Sequence, residues 1–193
     1  MSEAPSPPRA TRADAARNRE RLLDAAKAVF SAGGAEASLE AVARGAGVGI
    51  GTLYRHFPTR ETLFEAVYRR EVDDLAAYAE QLRDQVAPDE ALRRWVRANV
   101  EFVATKKGMA AALALAAHNK ALSAYSFERL NQALAPLLAR ARAADLLRTP
   151  IEPPELLRAL IGFCIVDDRA DWRATALRLI DVFMDGLLRA AAP

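Results

Sequence analysis

One cysteine, Cys164, stands in 193 residues, so the chain has no intramolecular disulfide and no multi-cysteine metal site. A reducing, cytoplasmic setting is the expectation. Histidine is nearly as scarce. His56 and His118 stand singly, which gives no support to a zinc site or a nucleophilic triad. Long apolar runs are missing too: the longest, Met109 to Ala117, is far too short to span a bilayer, and no basic-then-apolar leader opens the chain. No membrane partner is expected. Phosphate-loop chemistry is absent as well, because Gly47-Val-Gly-Ile-Gly51 lacks a preceding strand and a following lysine. The acid pairs Asp73-Asp74 and Asp167-Asp168 are adjacent, so on a helix they diverge by about 100° and cannot meet at one substrate. They read as solvated surface or caps. These absences leave no enzyme, no cofactor and no metal to expect.

Alternating β patterns are also wanting, and what remains is one amphipathic helix after another. The apolar stripe Leu22, Leu23, Ala26, Val29 and Phe30 makes the first, closed by Gly33-Gly34. Thr59 caps a long helix carrying Leu63, Phe64, Val67, Tyr68, Leu75, Tyr78 and Leu82, which ends before Pro88. A helix over roughly 90–107 follows, and Gly108 is expected to interrupt it before shorter helical matter from Met109 to His118. Another carries Phe127, Leu130, Leu134, Leu137, Leu138 and Ala141, with a kink expected at Pro136. Arg148-Thr-Pro-Ile-Glu-Pro-Pro154 is a loop, and Pro153 or Pro154 suits the first turn of the next helix. The expected fold is all-α. Its expected organisation is a basic, disordered tail over 1–14, a three-helix helix-turn-helix domain over 15–60, and a helical domain over 61–193 that begins with a linking helix near 60–85.

The stretch from Ser38 to Phe57 is the most informative. Leu39, Val42, Ala43 and Ala46 recur at i, i+3, i+4 and i+7, so one face of a short helix meets a core, with Ser38 as its N-cap. Gly47 supplies a sharp turn, Val48 plugs the small core, and a second short helix starts near Gly49 or Ile50. Leu53 and Phe57 hold that helix down, while Thr52, Arg55 and His56 fall on other faces and Pro58 ends it. A short helix carrying such a set of polar tips points to double-stranded DNA. Charge agrees in sign: residues 1–70 hold eleven Lys or Arg against eight Asp or Glu, a net of +3, out of +2 for the whole chain. The N-terminal tail, with Arg9 and Arg12, is either a frayed end or a basic arm for the minor groove.

Leu39-Glu-Ala-Val-Ala, then Ala46-Gly-Val, then Gly51-Thr-Leu-Tyr-Arg-His-Phe followed by Thr-Arg-Glu-Thr-Leu-Phe resembles the DNA-binding domain of the TetR (tetracycline-repressor-type) transcriptional regulators. The resemblance covers Arg17 to about Tyr68, and the rest is similar to that family in layout. It implies a homodimer, mostly a repressor, whose larger domain admits a small molecule and whose last two helices dimerise. It also implies that Tyr54 and His56 hold phosphates, a task that suits their hydrogen-bonding tips. The other reading of that pair is a Tyr and a His closing the small core.

Further DNA candidates rest on chemistry. Thr52 offers a hydroxyl and a methyl to a base edge, and Arg44 and Arg55 can grip guanine or phosphate or simply be solvated. Ser38, Thr59 and Arg60 sit at helix N-termini, where free N–H groups favour an anion. Gly49 and Gly51 admit the DNA backbone closely. Gly49 and Ile50 stand where relatives often place Ser, Lys, Arg or Thr, so direct base readout is thin and DNA shape takes the balance.

The last helix, about Trp172 to Arg189, has a narrow polar stripe of Arg178, Asp181, Asp185 and Arg189, expected to pair along that face. Its apolar arc is wider than one core contact requires. It is therefore either a central helix of a monomer or a dimer helix, paired with the segment Glu155 to Val166. The dimer candidates are Phe163, Leu177, Ile180, Phe183, Met184 and Leu187, and a two-fold dimer reads a palindromic operator. Ligand candidates are Trp95, Asn99, Phe102, Met109, Leu113, His118 and Phe127, a mostly apolar set with few polar anchors. Asn99 and His118 either line a pocket or bond neighbouring carbonyls. Cys164 reads as a small buried hydrophobe.

The reading is thus a homodimeric DNA-binding repressor released by a small, mostly apolar effector. Two rivals stay open: a regulator controlled by protein contact without a ligand, and a helical interaction or ligand-sequestering protein with degenerate DNA reading.

Overall fold

A computed structural model describes residues 12–33, 38–113, 119–165 and 171–189. These form eight helices and no strand; one isolated β-bridge joins Leu147 to Leu188. Helix α1 (Arg12–Gly33) starts within the stretch expected to be tail. It packs on α2 (Leu39–Gly45) so closely that a Cβ on Gly45 would sit 3.3 Å from that of Ala25. Ser38 caps α2, its hydroxyl accepting from the Ala41 N–H at 3.2 Å. Gly47, at φ +64°, makes the turn into α3 (Ile50–His56), a conformation that L side chains resist. Leu22, Leu23, Phe30, Val42, Leu53 and Phe57 close a small core between these three helices.

That core is completed by the next helix. Helix α4 (Arg60–Gln85) begins with a reciprocal cap, in which Thr59 accepts from the Thr62 N–H and Thr62 accepts from the Thr59 N–H, both at 3.2 Å. Such a cap is worth about 1 kcal/mol. Its first turns send Leu63 and Phe64 into the small core, where the Phe64 ring stacks on Phe30 with centroids 3.9 Å apart. Its later turns bury Val72, Leu75, Ala76, Ala79 and Leu82 against α5 (Pro88–Leu113) and α6 (Asn119–Ala143). Pro88 stands at the first turn of α5, where its missing N–H costs nothing.

Helix α5 is central, touching α1, α4, α6, α7 (Pro153–Ile165) and α8 (Trp172–Leu187). It runs unbroken through Gly108, contrary to the interruption expected there. An internal glycine costs only about 1 kcal/mol relative to alanine, and the flanking turns absorb it. Pro136 likewise lies inside α6 without ending it. The polar stripe of α8 does not pair with itself. Asp185 meets Arg93 at 2.7 Å and Asp181 meets Arg97 at 2.6 Å, both on α5. Arg189 meets Asp145 at 2.6 Å, and Arg178 donates to the Thr175 hydroxyl at 3.0 Å. Unlike charges on facing helices offered better geometry than neighbours on one helix.

The end of α8 is clipped to the loop after α6. Arg148 N–H donates to the Leu187 carbonyl at 2.9 Å and Arg189 N–H donates to the Leu146 carbonyl at 2.8 Å. No described helix is long and apolar enough to cross a membrane. Cys164 is 1% exposed on α7, and burial pushes its thiol up to about 11, against the opposing pull of Lys107. The reactive thiolate is therefore scarce at neutral pH. Iodoacetamide at pH 7.5 should leave Cys164 unmodified in the native protein and alkylate it within minutes in denaturant, as read by intact mass; rapid native labelling would contradict the buried placement.

Candidate functional site

Helix α3 presents two unlike faces. Leu53 and the following Phe57 are buried, whereas Gly51, Tyr54 and Arg55 are exposed and Thr52 and His56 are half-buried. Tyr54 is 46% exposed, so it does not close the small core, and the other reading of that residue falls. The His56 ring lies tilted to that of Phe57, centroids 6.3 Å apart. Ile50, at 38% exposed, adds an apolar tip at the start of the helix, a feature sequence reasoning noted only as a missing donor.

Glycines separate into two kinds here. A Cβ on Gly47 would come within 2.5 Å of the Arg21 guanidinium, besides the strain of its positive φ. At Gly49 and Gly51 a Cβ would meet nothing within 4 Å, and Gly49 has an ordinary φ of −72°. Nothing among the described residues requires glycine at either position. Both are exposed on the same helix end as Ile50.

Other expected DNA contacts surround this face. Arg44 is exposed near the end of α2. Ser38 is exposed, but its hydroxyl also donates to Glu40 at 2.7 Å, a bond that, ahead of the Glu40 backbone and Arg44, holds the Glu40 carboxyl below its usual range. Thr59 is engaged in its reciprocal cap. The Arg60 guanidinium lies over the rings of Phe30 and Phe64, at 5.6 and 5.2 Å, and so also clamps the aromatic stack. Two cations that sequence reasoning missed join this surface from α1: Arg19, stacked 5.4 Å over Phe57, and Arg21 beside Gly47. Their signal was the run of arginines before the first apolar stripe, which carries no register until α1 is docked.

A cavity of about 520 Å³ opens between α5, α6 and α7. Of the ligand candidates, Asn99, Phe102 and Phe127 line it. Trp95 does not: it is fully buried between α4 and α5, its indole N–H donating to the Leu75 carbonyl at 3.0 Å, because that carbonyl offered a partner for a large buried donor. The side chains of Met109 and Leu113, and the whole of His118, lie outside the described residues. Asn99 is 1% exposed, and its Oδ1 has no hydrogen-bond donor. Lys106 and Lys107, which sequence reasoning did not single out, also line the cavity. Ser126, also on its wall, accepts from the Tyr68 hydroxyl at 2.8 Å, so the cavity wall is tied to α4.

The dimer candidates also divide. Ile180, Met184 and Leu187 are buried within the protomer's own core, on the inward stripe of α8. Phe163, Leu177 and Phe183 are half-buried, with the Phe163 and Phe183 rings 5.6 Å apart across α7 and α8. Leu179 and Val182, 43% and 72% exposed, mark the outer face that sequence periodicity did not distinguish from the inner one. Gly162 and Gly186 stand in open space, where an added Cβ would meet nothing within 4 Å.

Known proteins give a consistent comparison. A family model described as "Bacterial regulatory proteins, tetR family" matches residues 22–67, and one described as "Transcriptional regulator SbtR-like, C-terminal domain" matches residues 87–189. The crystal structure of a TetR transcriptional regulator from Streptomyces coelicolor is 42% identical, with 90% of this chain and 99% of that one covered and a TM-score of 0.76. A TetR transcription regulatory protein from Mycobacterium vanbaalenii is 32% identical, with 92% and 99% covered and a TM-score of 0.74. An HTH-type transcriptional regulator of Staphylococcus aureus (strain USA300) is 36% identical over 74 residues, 38% of this chain. The match spans 40% of that relative's length.

The two kinds of glycine generate opposite expectations. Gly51→Ala should raise unfolding stability by up to about 1 kcal/mol, since it adds helix propensity in open space. Gly47→Ala should lower stability by about 1 kcal/mol or more, as expected for a forced left-handed turn. Urea denaturation of both variants checks the pair, and a stabilised Gly47→Ala would refute the account of the turn.

Proposed function

The chain belongs to the TetR family of bacterial transcriptional regulators, and from that membership we propose that it acts as a homodimeric repressor, leaving a palindromic operator when a small, mostly apolar molecule enters the α5–α7 cavity. The observation that carries the DNA half of this reading is the outer face of α3. It combines exposed Tyr54 and Arg55 with two glycines that nothing among the described residues requires. Tyr54 and His56 serve phosphates, and Gly49 and Gly51 let the DNA backbone close in. Thr52 and Arg44 reach base edges, and Ile50 meets a thymine methyl. Ser38, Thr59 and Arg60 have first duties inside the fold, as two caps and an aromatic clamp, and contribute at the phosphate rim. Two copies joined at α7 and α8 set two such faces on one side of a duplex, with half-sites about 34 Å apart.

Dimerisation is supported by the outer face of α8. Leu179 and Val182 form an apolar strip in water on one protomer, beside half-buried Phe163 and Phe183. Gly162 and Gly186 allow a second helix pair to approach closely. A second copy covers a self-complementary strip of this kind without any further partner. Ligand release is supported by the tie of the cavity wall to α4 through Ser126 and Tyr68, since α4 also carries Leu63 and Phe64 of the reader's core.

Two experiments test these assignments. Duplexes selected from a random pool by the purified protein should yield a palindrome, and the double substitution of Tyr54→Phe with His56→Ala should weaken its binding about 100-fold or more without altering thermal melting. Unchanged affinity would remove both residues from the interface. Val182→Asp should halve the mass measured by light scattering at micromolar concentration, because a carboxylate pair cannot be desolvated at a two-fold axis. An intact dimer would place the interface elsewhere.

A further inference from the structure

The polar groups around the α5–α7 cavity are not equivalent. The Ser126 hydroxyl accepts from Tyr68 and donates to the Ser123 carbonyl at 3.0 Å, so it is used within the fold. Asn99 Oδ1 is buried and receives no donor, a state that disfavours the empty cavity and favours an occupant bringing an N–H or O–H. Seven residues on, Lys106 lies on the same face of α5, about 10 Å further along the axis. Its Nζ sits 5.7 Å from the centre of the Tyr68 ring. Between the two stand Phe102 and Val103, faced by Phe127 and Leu130. The described lining includes two lysines and no carboxylate.

We infer that the cavity takes an anionic amphiphile: a hydrocarbon body lying along α5, an anionic head such as a carboxylate at Lys106, and a hydroxyl or amide N–H at the other end of the body that donates to Asn99. This rests on the ligand-release reading above and gives the ligand its chemistry. Each part has its own reason. The apolar wall sets the body, and a cavity of this size suits a small molecule. Lys106, with no acid among the described lining residues, selects negative charge, and the orphaned carboxamide oxygen rejects an occupant that offers only acceptors.

Calorimetric titration of the full chain with four matched probes tests the assignment: ω-hydroxydecanoate, decanoate, methyl decanoate and decylammonium. Decanoate should bind about tenfold more tightly than its methyl ester, which has neither charge nor donor, ω-hydroxydecanoate more tightly again, and decylammonium more weakly than decanoate. Lys106→Gln, a change at a half-exposed position, should erase the preference for decanoate over the ester while leaving ester affinity unchanged. Asn99→Leu should erase the advantage of the ω-hydroxyl while keeping the preference for decanoate over the ester. Equal binding of decanoate and methyl decanoate would overturn the anionic end while leaving an apolar-ligand pocket in place. Equal binding of decanoate and ω-hydroxydecanoate would overturn the role of Asn99. Failure of all four probes to bind would overturn both this inference and the ligand-release reading beneath it.

Discussion

Everything in this molecule depends on α4 having to satisfy two cores with one continuous helix. At its start, Thr59 and Thr62 fix the first turn, and Phe64 stacks on Phe30 beneath the Arg60 guanidinium. Farther along, Val72 to Leu82 fill the space against α5 and α6. The indole of Trp95 ties α5 to the Leu75 carbonyl, and Tyr68 reaches the cavity wall at Ser126. Close packing along its length makes the two cores share this one element. Two ion pairs join α4 to α1, Arg70 with Asp24 and Lys27 with Glu71, both at 2.7 Å. The Glu71 carboxylate is only 11% exposed and Asp24 is 66% exposed, and an exposed pair of the Arg70–Asp24 type is worth about 1 kcal/mol or less.

Sequence reasoning succeeded where the physical cause is local. Ser38, Gly47, Thr59, Pro88 and Pro153 each mark a helix end through a conformational or hydrogen-bonding property of the residue itself, and each stands where that property predicts. The faces of α2 and α3 followed from spacing alone. It failed where the outcome depended on a distant partner. Gly108 looked like a break because a lone glycine costs helix propensity, yet continuity was decided by the surrounding helix. The charges of α8 matched one another in spacing, but found Arg93 and Arg97 on α5.

Candidate-site legibility followed the same division. Periodicity placed Asn99 and Phe102 on one inward stripe, and both line the cavity. It placed Trp95 there too, although the turn that carries Trp95 is spent on α4. A stripe tells which residues leave water, not what they leave it for. In α8 the inward residues Ile180 and Met184 and the outward residues Leu179 and Val182 are all apolar, so composition could not assign them to a core or to a surface. Only docking on α5 separates them.

Helix α5 divides its length between two duties. The turns holding Leu92, Trp95 and Val96 are fully buried against neighbouring helices. On the next two turns Asn99, Phe102, Val103 and Lys106 line the cavity instead. The Phe102 ring also packs 5.7 Å from that of Tyr68 on α4, so it is Val103 whose substitution changes the shape of the hollow while leaving the brace at Leu92, Trp95 and Val96 in place. Such a layout is permissive for divergence: a lineage can explore new cavity walls by single-residue steps while the frame that carries α4 stays intact.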